Sequence, residues 1–84
     1  MTKTKTIDEA RFLIESLMPM QEQKMHFPCP RCGRDNMDEN PVRNALSRYA
    51  NVYICDECGT DEAMRDFAGL DPLPLNEWSM AISF

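Results

Sequence analysis

The four cysteines of this 84-residue chain form two copies of one short pattern, CPRCG at residues 29–33 and CDECG at residues 55–59. A two-residue spacer lets both sulfurs of a pair reach the same ion, and the following glycine tolerates the positive φ that such a tight turn tends to need. Two such turns side by side supply four thiolates in a tetrahedron, which suits zinc. The pattern therefore predicts one metal site. Its predicted ligands are Cys29, Cys32, Cys55 and Cys58.

The length of the chain strengthens this interpretation. Eighty-four residues make one small domain, predicted here as residues 1–84, and a core of that size leaves a protein only marginally stable. Small domains usually add disulfides or a structural metal. The 22 residues between the second and third cysteines exceed the usual spacing of about 15–20 in zinc sites. The loop-like composition of residues 33–41 accommodates the excess.

Two other uses of the cysteines remain open at this stage. Four cysteines allow three disulfide connectivities, but the N-terminus lacks the apolar segment of a secretory signal, so we expect a cytoplasmic protein with reduced thiols. No run approaches the roughly 20 apolar residues that span a bilayer, so no membrane association is expected. Iron is the second alternative, because rubredoxins hold it with two similar knuckles. Zinc is favoured as the redox-silent ion of a closed thiolate site.

The two knuckles resemble those of the zinc-ribbon and rubredoxin-like families. The stretch LSRYANVYICDECGTDEA at residues 46–63 is also similar to small zinc-ribbon proteins of bacterial phages and other mobile elements. The resemblance covers Phe27 to Ala63 and implies a zinc ribbon at residues 27–59 with the four cysteines as ligands. It implies no catalytic residue. The second knuckle departs from rubredoxin, which usually has proline where this chain has Asp56.

The rest of the sequence predicts a small α+β metal-bound domain, with helices flanking the ribbon. Residues 1–6 are expected to be frayed, and a capping box of Thr6 and Glu9 starts a helix at 7–18 that Pro19 ends. Within the ribbon, residues 42–47 and 52–55 are predicted to form a β-hairpin, the second strand being the firmer prediction. Short C-terminal helices are expected to follow.

The first of these helices is predicted at residues 60–69, capped by Thr60 and ended by Gly69, with Met64, Phe67 and Ala68 on its apolar face. Residues 70–84 are predicted to pack on or beside the ribbon, with Trp78 and Ile82 turned inward. The alternative for the apolar tail, Leu73 to Phe84, is a binding surface for a partner.

Charge limits the partners that this chain is expected to bind. The formal net charge is −5, and four thiolates around one divalent ion would make it −7. Nucleic-acid binders usually carry a basic patch, which is missing here. Four arginines in the ribbon can contact phosphates, but pairing with nearby acids is the favoured interpretation: Arg31, Arg34, Arg43 and Arg48. His26 lies near the first knuckle but is not expected to be a ligand, because four thiolates already complete the site.

These observations favour a non-enzymatic zinc-binding module. No Gly-rich phosphate loop and no nucleophile partnered with the single histidine is recognisable. The leading hypothesis is a small adaptor that binds an unknown protein partner. The second is a nucleic-acid-associated accessory factor of a phage or mobile element, an analogy at the level of the fold alone. The third is a rubredoxin-like electron carrier that holds iron.

Overall fold

The computed structural model describes residues 5–82, which form a small α+β fold with one two-stranded antiparallel hairpin. The elements are, in chain order, α1 (Ile7–Glu15), α2 (Met18–Glu22), a 3-10 turn (Pro41–Arg43), β1 (Ala45–Leu46), β2 (Tyr53–Ile54), α3 (Asp56–Ala68), a second 3-10 turn (Leu75–Glu77) and α4 (Ser79–Ile82). Within this part of the chain, no helix is long and apolar enough to cross a membrane.

Helix α1 starts as predicted and ends earlier than predicted. The Thr6 hydroxyl accepts a hydrogen bond from the Glu9 backbone N–H (3.1 Å), and the Glu9 carboxylate accepts one from the Thr6 N–H (2.9 Å). The helix ends at Glu15 and not at residue 18. Pro19 lies in the first turn of α2, where a missing N–H costs no intrahelical hydrogen bond. The residues predicted as one helix at 7–18 therefore contain α1 and the first residue of α2.

The predicted frayed segment at residues 1–6 is partly wrong. Residues 1–4 lie outside the described residues, but Lys5 and Thr6 are both fixed. The Lys5 ammonium donates to the Ala81 carbonyl (2.8 Å), and the Lys5 carbonyl accepts from the Asn76 side-chain amide (2.8 Å). The start of α1 is thereby joined to the C-terminal segment. Sequence patterns close to residue 5 gave no sign of partners some seventy residues away.

The hairpin pairs Ala45 with Ile54 and Leu46 with Tyr53, which confirms the prediction of two antiparallel strands. The strands are only two residues long, so the predicted bounds of 42–47 and 52–55 are too wide, and the start of the first predicted strand lies in the 3-10 turn Pro41–Arg43. Gln21 from α2 supports the free edge of β2, because its side-chain amide accepts from the Tyr53 N–H (2.9 Å) and donates to the Tyr53 carbonyl (3.0 Å). This buried glutamine fixes α2 against the ribbon.

Helix α3 begins four residues before the predicted start and exposes the face predicted to be buried. Cys55, not Thr60, is its N-cap, and Gly69 ends it in the left-handed conformation (φ +74°). The buried side chains of α3 are Cys58 and Glu62, whereas Met64 and Phe67 are exposed. The second cysteine knuckle sets the start of the helix, and the hairpin then covers the side of α3 that carries Cys58.

The core joins α1 to the C-terminal segment and the knuckles. Trp78 is completely buried, while Ile82, predicted to face inward, is 64% exposed. The tryptophan belongs to one buried cluster with apolar side chains from several parts of the described chain: Ala10, Ile14, Leu17, Ala50, Val52, Ile54, Leu75 and Ala81, with the cysteines Cys29, Cys55 and Cys58. The Ser79 and Met80 N–H groups donate to the carbonyls of Arg31 and Pro30 (3.1 and 2.9 Å). The described part of the tail therefore lies against the first knuckle, and Phe84 lies outside the described residues.

Candidate metal centre

The sulfurs of the four predicted ligand residues converge on one point. All four Sγ atoms of Cys29, Cys32, Cys55 and Cys58 lie within 4.8 Å of one another, and this is a grouping that could hold a metal ion. The Cys29–Cys58 and Cys32–Cys55 sulfur distances are both 3.8 Å. Zinc–sulfur bonds of about 2.3 Å in a regular tetrahedron place the sulfurs about 3.8 Å apart. The cysteines are free thiols, and their spacing fits a tetrahedral thiolate site.

The first knuckle is a tight turn held by its own backbone. The Cys29 N–H donates to the Arg34 carbonyl (2.9 Å), and the Gly33 N–H donates to the Cys29 carbonyl (2.8 Å). Gly33 has a φ of +79°, and a Cβ on it would meet the Ser79 side chain. Glycine is therefore required at position 33 for two reasons: the backbone is left-handed there, and the C-terminal segment approaches closely.

The second knuckle is also the first turn of α3. The Cys55 sulfur accepts the Cys58 N–H (3.5 Å), and the Cys29 sulfur accepts the Cys55 N–H (3.4 Å). Cysteine here takes the place that serine or aspartate usually takes at a helix N-cap. N–H groups and the positive end of the helix stabilise the negative charge of thiolates, so this geometry favours metal-bound sulfur.

Gly59 is needed for a reason different from the one that the sequence suggested. It lies inside α3 and has no left-handed φ, whereas Gly33 does. A Cβ on Gly59 would instead collide with the Cβ of Ala45 in β1. The glycine of the second knuckle thus lets the helix approach the hairpin closely.

We expect Gly59→Ala to destabilise the metal-loaded protein. Alanine is better than glycine in a helix by about 1 kcal/mol, but overpacking against Ala45 costs about 1–3 kcal/mol. The net loss should be up to about 2 kcal/mol in the free energy of unfolding. The double variant Ala45→Gly/Gly59→Ala removes the collision and should be more stable than the two separate losses predict. Urea unfolding of the four proteins measures this coupling, and strict additivity would contradict the proposed collision.

Arg31 connects the cysteine cluster to α3. Its side chain is 7% exposed; one guanidinium nitrogen donates to the Asp61 carboxylate, and Nε lies 3.9 Å from Glu62. Burial lowers the pKa of Arg31, but interactions with the Cys58 sulfur and with Asp61 outweigh burial and raise it. The buried Nε makes no hydrogen bond in the described structure. A permanent positive charge thus lies beside a cluster that becomes negative when it binds metal.

The thiols of the cluster differ in acidity. Burial raises the pKa of Cys29 and of Cys58. Burial also acts to raise the pKa of Cys32, but hydrogen bonds from the Arg34 backbone and guanidinium outweigh it and lower the pKa to about 7. Metals bind cysteine as the thiolate, so filling this cluster at neutral pH displaces protons.

His26 takes no part in the cluster. Its Nε2 lies 2.7 Å from a carboxylate oxygen of Asp35, and its Nδ1 lies 3.7 Å from Glu39. It is not among the described residues whose ligand atoms converge with the cysteines. These contacts tie the start of the ribbon to the loop after the first knuckle.

The arginines of the ribbon mainly contact acids of α3. Arg34 lies 3.4 Å from Glu57 and Arg48 lies 2.8 Å from Asp66, while Arg31 contacts Asp61. Arg43 makes no ion pair with the described residues. Three of the four arginines considered as phosphate contacts therefore already have carboxylate partners, as the favoured interpretation expected.

Glu62 is a part of the site that the sequence did not reveal. It is 1% exposed, and its carboxylate accepts from the Ser47 hydroxyl (2.8 Å) and the Arg48 N–H (2.9 Å). It therefore connects α3 to the loop of the hairpin, fifteen residues before it in sequence. The sequence does not indicate that this glutamate is buried, because it lies in an acidic helical stretch. Its burial depends on which face of α3 the cysteines turn inward.

Comparisons with known proteins add no relative. No family model, no curated protein and no solved structure matches the chain. The resemblance to zinc ribbons consequently stands on the two knuckles and the intervening hairpin of this chain. The geometry itself shows an α+β fold with four clustered cysteines that are able to hold a metal ion.

Proposed function

We propose that this chain is a zinc ribbon, a non-enzymatic zinc-binding module that acts as a small protein-interaction adaptor. The observation that carries the proposal is the convergence of four free thiols with sulfur distances of 3.8 Å across the two knuckles. Such spacing fits a closed tetrahedral site. The similarity to small proteins of phages and mobile elements and the cytoplasmic location stay predictions from the sequence.

Zinc is favoured over iron in this proposal. Both metals accept four thiolates, but zinc is the usual ion of closed structural sites and adds no redox chemistry. We expect one zinc ion per chain in protein produced with both metals supplied, as measured by elemental analysis. Iron in most molecules, together with the visible absorption of an iron–thiolate centre, would favour the electron-carrier hypothesis instead. A metal content near zero would contradict the proposal altogether.

The absence of an enzymatic activity is part of the same proposal. Four thiolates leave no open position on a tetrahedral ion for water or a substrate. His26, the single histidine, is engaged with two carboxylates and lies apart from the sulfur cluster. The arrangement therefore supports a structural use of the metal, in which the ion holds α3 against the hairpin.

A nucleic-acid partner ranks below a protein partner. The chain carries a net charge of −5, and three of its four ribbon arginines have carboxylate partners within 4 Å. Phosphate contacts supply most of the sequence-independent affinity for DNA, so few free cations mean weak binding. A protein that binds another protein does not need free cations for phosphate contacts.

We expect weak binding to mixed-sequence duplex or single-stranded DNA at a salt concentration near 150 mM, where screening leaves only close contacts. Fluorescence anisotropy with labelled DNA measures this. Arg34→Ala/Arg43→Ala/Arg48→Ala is the matched variant, because all three side chains are exposed and the buried Arg31 stays in place. Sub-micromolar affinity that this variant loses would place the accessory-factor hypothesis first.

The adaptor function itself is tested by affinity capture. The metal-loaded chain is used to capture proteins from an extract of the cells that express it, in parallel with the Cys58→Ser variant. A partner that binds the loaded chain with a saturable affinity, confirmed with the purified partner, supports the adaptor. Recovery of nucleic acid alone, removed by nuclease treatment, would support the accessory factor.

A further inference from the structure

The outward face of α3 carries large apolar side chains that the core does not use. Met64 is 66% exposed, Phe67 is 95% exposed, and Leu70, just after the helix, is 62% exposed. Residues 64 and 67 are neighbours on one helical face. We call Met64, Phe67 and Leu70 the α3 apolar strip. Single exposed apolar residues are common on protein surfaces, but several together mark interaction sites.

The excess acidic charge of the chain is concentrated in the segment that carries this strip. Residues 56–71 contain six acidic residues and one arginine, a formal charge of −5 that equals the net charge of the whole chain. The remaining residues contain eight acidic and eight basic side chains. The segment that carries the strip therefore also carries the chain's excess of acidic residues, which favours a partner that is both apolar and basic.

Pairing leaves two carboxylates free, one before the strip in the chain and one after it. Arg31, Arg34 and Arg48 neutralise acids on the side of α3 that faces the ribbon. Asp56 and Asp71 make no side-chain ion pair with the described residues. Asp56 lies about three helical turns before Phe67 on the same face, and Asp71 directly follows Leu70. An unpaired carboxylate therefore precedes the strip in the chain and another follows it.

We propose that the α3 apolar strip docks a basic amphipathic helix of a partner protein, with an apolar stripe against Phe67 and Lys or Arg near Asp56 and Asp71. The proposal rests on the adaptor function and adds the surface and the chemistry of the partner. Charge argues against the other occupants. A second copy would bring two acidic faces together, each with the unpaired carboxylates of Asp56 and Asp71, and nucleic acid or an anionic membrane would be repelled by the acidic chain.

The position of the strip suits a rigid docking surface. α3 is fixed at its N-terminus by Cys55 and Cys58 and along its inner side by the Ser47–Glu62 hydrogen bond (2.8 Å). A helix held in place before binding loses less conformational entropy when a partner docks. Metal binding by the cysteine cluster would therefore determine whether the strip is presented.

The test uses the zinc-loaded chain and two synthetic helical peptides of about five turns. Both carry the same leucine stripe, and one has lysines where the other has glutamates. Calorimetry should give saturable binding of the lysine peptide with at least about tenfold higher affinity than the glutamate peptide, and added salt should weaken it. NMR shifts of the labelled chain should concentrate at residues 56–71.

Phe67→Ser is the decisive variant, and Phe12→Ser is its matched control. Both phenylalanines are exposed (95% and 76%) on helices, so neither change should disturb the fold, which an NMR spectrum verifies. Phe67→Ser should weaken lysine-peptide binding at least about tenfold, the loss expected of a central aromatic contact, and Phe12→Ser should leave it unchanged. Equal affinity for the two peptides, NMR shifts outside α3, or no saturable binding up to about 1 mM would overturn the proposal.

Failure of this surface can be told apart from failure of the adaptor function. A captured protein partner whose affinity survives Phe67→Ser overturns the α3 apolar strip as the docking site while the adaptor function stands. The same partner lost with Phe67→Ser, retained with Phe12→Ser and displaced by the lysine peptide supports both. If the chain associates with itself and Phe67→Ser abolishes this association, the choice of a basic partner is overturned.

Discussion

Cys58→Ser is expected to abolish stoichiometric zinc binding and the cooperative unfolding transition of the chain. Structural zinc sites contribute on the order of 10–16 kcal/mol of apparent binding free energy, whereas whole small domains are stable by about 5–15 kcal/mol. Cys58 lies in the first turn of α3, and its sulfur is 3.8 Å from that of Cys29. Removing this thiolate leaves three ligands and releases the start of α3 from the first knuckle.

Circular dichroism, NMR dispersion and elemental analysis measure the two losses together. The matched control is His26→Ser, which removes another residue type that can bind metal, three residues before Cys29 in sequence, and introduces the same residue. It should keep one zinc per chain, because its imidazole contacts Asp35 and Glu39. Residual helicity in Cys58→Ser is expected from α1, which has its own capping box. A folded Cys58→Ser protein with native NMR dispersion would show that the metal does not hold the fold together.

The cluster was accessible to prediction because its geometry is local. A two-residue spacer fixes the distance between Cys29 and Cys32 within one turn, and the same holds for Cys55 and Cys58. Only one long-range step was needed, the hairpin that brings the two turns together, and strand-forming residues before Cys55 indicated it. The capping box at the start of α1 was predictable for the same reason, since its partners are three residues apart.

Which face of α3 is buried could not be predicted from the sequence, because tertiary contacts override helical periodicity. Met64 and Phe67 form the more apolar side of the helix, and periodicity alone predicts that this side is buried. The second cysteine knuckle instead turns Cys58 inward, and Glu62, one turn later, follows it into the interior. The cysteines decide the rotation of α3, and the apolar strip faces outward as a consequence.

The same rotation gives Glu62 a large expected effect on stability. We expect Glu62→Ala to lower the free energy of unfolding of the zinc-loaded protein by about 3–5 kcal/mol, the usual cost of breaking a buried charged network. The change leaves the Ser47 hydroxyl and the Arg48 N–H without their acceptor. It also removes a negative charge 3.9 Å from the buried guanidinium of Arg31.

Asp66→Ala is the matched control for this prediction. Asp66 lies one turn further along α3 and contacts the same Arg48 (2.8 Å), but its side chain is 60% exposed. Exposed ion pairs contribute about 0–1 kcal/mol, so the control should unfold almost like the parent. For a domain of this size, a loss of about 3 kcal/mol lowers Tm by roughly 12 °C or more. Equal losses in the two variants would mean that the ion pairs around Arg48, and not the buried carboxylate, join α3 to the hairpin.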